Sequence, residues 1–403
     1  MRNSSNGSSA LKRREYAQPR VAKAESPLAK LGIGTMDHTI FLVVIILTLF
    51  GIMMVFSASY VVTGRSPQHN FDTFYYLRRH GGLAVLSFAA MNIMANFNYR
   101  YLKRFAMPAY MISLGLLLFT IIHGAVIHGA RRWINVFGLQ FQPSEVAKIA
   151  LILVLARIIS RNRDILDKWQ GFIFCCGIVG VMVIFVGLGN LSTAIIMAII
   201  GGGMIFMASR HVLRFVLAGG LGAAGMVGYL YFMAYHASDA IGGAFRGGRF
   251  LAWRDPFSDM SGFGFQVVQS LYAIASGGLF GLGIGQSRQK TFLPEVHNDV
   301  IFSVIVEELG FVGASIILLL FSILVWRGLR IAINAADSFG ALVAVGIILM
   351  ISSQVIINVA VVTNSIPNTG IPMPFISYGG TALLVNMACM GILLNISRHS
   401  KIE

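Results

Sequence analysis

The sequence predicts an all-α polytopic membrane protein of about ten transmembrane helices, with a large extracytoplasmic loop between helices 7 and 8. Three observations carry that expectation. Only 12% of the 403 residues are charged, about half the share usual in soluble domains, while 56% are hydrophobic and the mean hydropathy is +0.75. Apolar runs close to the ~20 residues needed to cross a bilayer recur along the chain. The Lys and Arg residues, finally, fall in short clusters between those runs. That pattern reads as membrane orientation, so the net charge of +15 is no argument for a nucleic-acid partner.

Residues 1–37 are rich in Ser, Asn, Lys and Arg and read as a disordered basic tail. The first apolar run opens only near Thr39, so no cleavable signal peptide is expected. Helices are expected over 39–62, 80–97, 105–126, 143–160, 170–189, 191–208, 212–235, 300–326, 338–363 and 376–397. The second run is the weakest, and only Gly189-Asn190 part the fifth from the sixth. The membrane unit is then 38–398, followed by a short cytoplasmic C-terminus at 399–403. With both ends inside, the inner segments hold about 20 of the 31 Lys and Arg, against five in the short outer loops. This asymmetry puts the termini in the cytoplasm and the 236–299 loop outside.

That loop carries glycine-rich stretches, IGGAFRGGRF and SGGLFGLGIG, around FQVVQSLYAIAS. Val267, Val268, Leu271 and Ile274 have helical spacing there, which suits either an interfacial helix or an ordinary surface helix. Cys175, Cys176 and Cys389 all lie in apolar runs without CxxC spacing. They read as small packing residues rather than a disulfide or zinc framework.

Chemistry at the outer face must draw on few acids. Asp299 closes the large loop and opens the eighth helix in KTFLPEVHNDVIFSVIVEELG, so it sits at the lipid surface either as a helix N-cap or as a working carboxylate. His297 two residues earlier is a structural hydrogen-bonder or a ligand, and HxD alone is a weak metal signal. Glu307 and Glu308 lie inside the same apolar stretch, where a charge costs about 3 kcal/mol. At least one should face the bundle and find a donor. Lys148 is the only Lys or Arg deep in another span, with Glu145 three residues earlier competing for it. In GARRWINVFGLQFQPSEVAKIA, Pro143 suits a first helical turn and Glu145 its positive end. Trp133 fits interfacial anchoring. Arg131 and Arg132, against the inside bias, invite a phosphate, as do Arg246, Arg249 and Lys290 in the loop. The charge-free SIPNTGIPMPFISYGG is either a re-entrant segment covered by protein or a rigid turn.

Taken together, GARRWI with FQPSEVAK, the stretch from WRDPFSDMSGFGFQ to FLPEVHNDVIFSVIVEELG, and TGIPMPFISYGG resemble the SEDS proteins (shape, elongation, division and sporulation). The likeness spans about 38–398, and GARRWI with GxSRQK looks more like the division and sporulation branch (FtsW-like) than the elongation branch (RodA-like). Asn298 stands where Thr is usual, and Val300 where Phe is usual.

The resemblance implies a peptidoglycan glycosyltransferase that polymerises lipid II at the outer face of the bacterial cytoplasmic membrane. It implies Asp299 as the catalytic acid, a functional Trp133, and a class B penicillin-binding protein as transpeptidase partner among divisome or related cell-wall proteins. The donor would be glycan on undecaprenyl pyrophosphate, whose leaving charge arginines or a divalent cation (Mg or Mn) would stabilise, with no organic cofactor. Two other readings stay open from the residues alone: a lipid II flippase, since intramembrane ions also suit transport, and a non-catalytic scaffold for a transpeptidase.

Overall fold

The computed structural model describes residues 36–65, 67, 71–127, 130–136, 139–211, 213–217, scattered residues of 219–228, 243–258, 260, 262–293 and 296–400. The chain opens with α1 (His38–Arg65), α2 (Tyr75–Asn96) and α3 (Leu102–His123). Three short strands follow: β1 (Ala125–Ile127), β2 (Ala130–Val136) and β3 (Leu139–Phe141). Next come α4 (Pro143–Arg161), α5 (Trp169–Gly189), α6 (Leu191–Ala208), α7 (Gly243–Arg254) and α8 (Phe263–Gly277). The chain closes with α9 (Ile301–Ile333), α10 (Ser338–Val362) and α11 (Gly380–Arg398).

Among the described residues, seven helices are long and apolar enough to cross a membrane: α1, α3, α5, α6, α9, α10 and α11. α2 and α4 match them in length, at 22 and 19 residues, but are more polar. The reason is position. α4 packs against α3, α6 and α10 and is buried along most of its length, so its Glu145 and Lys148 meet protein rather than lipid. The helix expected over 212–235 falls largely outside the described residues, as does the tail 1–35.

Two features correct the all-α expectation of helices joined by plain loops. The three strands between α3 and α4 form a small antiparallel sheet in the order β1-β2-β3, with Ala125 opposite Trp133 and Ile134 opposite Phe141. These strands, two of them only three residues long, are too short to stand out beside the helical runs. The FQVVQSLYAIAS helix, α8, does not lie alone at an interface: it packs on α9, with Val267 and Val268 buried.

α9 is also broken. Gly310 has φ +70°, where a side chain would be strained and would collide with the backbone of Leu279 and Gly281. Segment 278–283 supplies the backbone partners that the break removes. Phe311 and Val312 donate to the carbonyls of Gly278 and Leu279 at 2.9 and 3.1 Å. Leu282 and Gly283 donate to those of Glu307 and Glu308, each at 2.9 Å. A buried helix break thus keeps its polar groups paired.

The middle of the proline-rich segment 365–379 is covered by protein. Its Ile371, Met373, Phe375 and Ile376 are buried. The turn at Phe375 presses on the middle of α1, where a Cβ on Gly51 would stand 2.6 Å from the Phe375 carbonyl oxygen. Glycine is what lets that backbone reach mid-helix.

Candidate active site

Asp299 ends the 296–300 turn just before α9. The N-cap position falls on Val300, whose side chain makes no capping bond, so Asp299 stands outside the cap. Its carbonyl oxygen accepts from Asn358 Nδ2 of α10 at 2.7 Å, and the same amide nitrogen donates to the Ile371 carbonyl at 2.8 Å. One buried side chain therefore pins both the Asp299 turn and segment 365–379. On the carboxylate, Gln266 of α8 donates from Nε2 to Oδ1 at 3.4 Å.

Asp299 lines a cavity of about 430 Å³. Its wall includes Arg132 and Trp133 of β2, Gln140, Gln142, the α4 pair Glu145 and Lys148, Arg249 of α7, and Asn190, Thr193 and Asn368. The wall is mixed, with apolar side chains such as Ile196, Phe265 and Ile371 between neutral amides and the ions. Burial holds the Arg249 guanidinium below its ordinary value; the Asp299 carboxylate pulls it back up, and Arg132 pushes it down again. Arginine nonetheless keeps its charge in proteins. With Glu145 and Lys148 paired to each other, two guanidinium groups and the Asp299 carboxylate share the rest of a partly desolvated space, an arrangement suited to an anionic ligand with a hydroxyl to activate.

A family profile described as "Cell cycle protein", covering FtsW, RodA and SpoVE, matches residues 37–402. This chain belongs to the FtsW/RodA/SpoVE family. Stage V sporulation protein E of Bacillus subtilis (strain 168) is 40% identical over 371 residues, covering 91% of this chain and 98% of that protein. A probable peptidoglycan glycosyltransferase FtsW of Geobacter sp. (strain M18) is 37% identical, covering 91% and 97%. Among solved structures, a peptidoglycan synthase complex coordinating polymerization and crosslinking matches with TM-score 0.72 and 25% identity, over 92% of this chain and 99% of that one. The rod shape determining protein RodA of Thermus thermophilus matches with TM-score 0.66 and 25% identity over the same shares. The relatives bear the FtsW-like reading: the sporulation and division proteins share more of this sequence than RodA does.

In this FtsW/RodA/SpoVE member, the residues singled out from sequence separate into three groups. Asp299, Arg132, Trp133, Arg249, Glu145 and Lys148 meet at the cavity. Glu145 and Lys148 pair with each other at 2.9 Å. The side chains of Arg131 and Arg246 lie outside the described residues. Glu307, Glu308 and Lys290 form a separate buried cluster, and here two expectations are corrected. Lys148 is not the partner of the α9 glutamates, because Glu145 one turn away holds it. Lys290, placed with the phosphate binders, is 2% exposed; it donates to the Gly285 carbonyl at 2.6 Å and reaches Glu308 at 3.4 Å.

The glutamates fasten the loop to the bundle. Glu307 accepts from Ser287 Oγ at 2.5 Å and from the Arg288 amide at 2.9 Å, while Glu308 accepts from Ser57 of α1 at 2.7 Å. His297 backs the turn rather than facing the cavity. Its ring lies 4.2 Å from that of Tyr76, and its carbonyl accepts from Tyr378 N at 2.8 Å. The sequence reading passed over Asn358, Gln266 and Asn368. Asn358 carried a usable signal, since an amide amid IINVAV is costly inside a span unless it is bonded.

Proposed function

We propose that this chain is a peptidoglycan glycosyltransferase that polymerises lipid II into glycan strands during cell division or sporulation. It would work at the outer face of the bacterial cytoplasmic membrane, crossing it about ten times with both termini cytoplasmic and the 236–299 loop outside. The observation that carries this reading is the Asp299 carboxylate in a polar cavity beside Arg249 and Arg132, in a chain whose relatives include probable peptidoglycan glycosyltransferases.

Asp299 takes the proton from the 4-hydroxyl of the acceptor GlcNAc in lipid II as that oxygen attacks the donor's anomeric carbon. The bond to undecaprenyl pyrophosphate breaks, and the leaving group carries the electron pair away. A positioned base contributes typically 10²–10⁴ in rate, by the general order of such effects. Arg249 and Arg132 counter the charge that grows on the pyrophosphate. Mg or Mn is a further expected aid, but among the described residues no three His, Cys, Asp or Glu side chains gather to hold an ion. A divalent cation would have to take most of its ligands from phosphate oxygens and water, and no step above depends on it. A class B penicillin-binding protein is the expected partner, supported by the likeness to a solved peptidoglycan synthase complex.

The test is purified protein with lipid II in detergent, where there is no second leaflet to flip into. Glycan strands of increasing length support the reading. Protein that is folded, supplied with its partner and still makes no strands overturns it in favour of the flippase or scaffold alternatives.

A further inference from the structure

A directed hydrogen-bond relay ends on Asp299. It begins at the Gly370 backbone N–H, which can only donate, and does so to Asn368 Oδ1 at 3.2 Å. With its oxygen so engaged, Asn368 presents Nδ2 outward, and that group donates to Gln266 Oε1 at 2.8 Å. Gln266 is thereby left with Nε2 toward Asp299 Oδ1, at 3.4 Å. Amide orientations are ordinarily assigned from such networks, and here a backbone donor sets the sense of every link. The far end is anchored too: Arg249 donates to the Asn368 carbonyl oxygen at 3.4 Å.

From this geometry we infer that Gln266 and Asn368 are positioning residues that hold Asp299 as an oriented, ionised carboxylate, the form a general base requires. An amide NH₂ donates more strongly to a carboxylate than to a neutral carboxyl group and cannot accept the acid's proton, so the relay favours the charged state. A flipped Gln266 would set its carbonyl oxygen against the carboxylate and oppose ionisation. Asn368 blocks that flip. Segment 365–379 and α8 thus act on the chemistry through Asp299.

The inference deepens the glycosyltransferase reading and rests on Asp299 being its base. Among the described residues, the other titratable and charged groups that line the cavity with Asp299 are Arg249 on α7, Arg132 on β2, Glu145 and Lys148 on α4, and Tyr378 on segment 365–379, while His297 shares the Asp299 turn with its ring against Tyr76 and Tyr378. None of them is altered in the variants below, so their influence is common to all the proteins compared.

The experiment is an infrared titration of the full-length protein in detergent, with the Asp299 carboxyl band isolated by difference against Asp299→Asn. Gln266→Met keeps the length and removes the donor; the Asp299 pKa should rise by about one unit. Asn368→Ala frees Gln266 to rotate and should give a smaller rise in the same direction. The double variant should match Gln266→Met alone, because both changes act through one link. With lipid II as substrate, the acidic limb of kcat should move to higher pH by the same amount while KM changes less than about twofold. Unchanged carboxyl titration in the folded variants, or additive shifts in the double variant, would overturn the relay. Should either single variant fail to fold, the other still reads it. Wild-type protein that forms no glycan would sink the functional reading alone, since the carboxyl titration needs no activity.

Discussion

Lys290 and Glu308 form a buried ion pair at 3.4 Å, on opposite sides of the junction between the 278–290 loop and α9. The ammonium also sits 4.7 Å from the centre of the Tyr60 ring of α1. Breaking such a pair from one side leaves a buried charge and costs about 3–5 kcal/mol. Lys290→Met should therefore lower Tm sharply, whereas Lys290→Met with Glu308→Gln should recover much of the loss. The folded fraction of Lys290→Met should keep a normal lipid II dependence. A raised KM at unchanged Tm would return Lys290 to the phosphate site.

Asp299→Asn retains shape and loses the base. Its glycan polymerisation should fall at least about a hundredfold, with the melting profile close to wild type because the carboxylate makes no cap. Near-normal strand synthesis by the Asn variant would remove Asp299 from the chemistry.

Asn358→Leu takes away the donor shared by the Asp299 and Ile371 carbonyls. Buried acceptors left without partners cost about 1–3 kcal/mol each. A lower Tm together with a fall in kcat is expected, since the same bonds hold the Asp299 turn in place. Loss of stability with kcat intact in the folded fraction would show that the turn is held by other contacts.

Arg249→Gln and Arg132→Gln should each raise the KM for lipid II about tenfold or more, given ~1.5–3 kcal/mol per charge-assisted bond. Lysine at either position should restore only part, because an ammonium cannot form the paired fork. Changes in Arg13 and Arg14 of the tail serve as the control. Equal effects from tail and cavity arginines would reduce the cavity residues to general charge.

Orientation can be read with cysteines placed at Thr291 and Asn334, both exposed, in a background lacking Cys175, Cys176 and Cys389. An impermeant thiol reagent on intact protoplasts should label the first and spare the second. The opposite sidedness would overturn the topology drawn from charge.

The sequence by itself determined the class of protein, most helix positions and the family, and it singled out Asp299. These follow from one-dimensional properties: span length, charge between spans, and long ordered motifs. It could not pair residues. Whether Lys148 answered Glu145 or the α9 glutamates depended on how α4 and α9 pack, and only the tertiary structure decided for the local partner. The same holds for Lys290, which looks like a loop cation in sequence and is a buried counter-ion in the fold. Gln266 and Asn368 stayed inconspicuous because an amide has no charge to mark it, and Asn358, marked by its apolar surroundings, gave no hint of its partners. Their meaning lies in direction, in which atom donates to which oxygen, and that exists only once α8, α10 and segment 365–379 are brought together around Asp299.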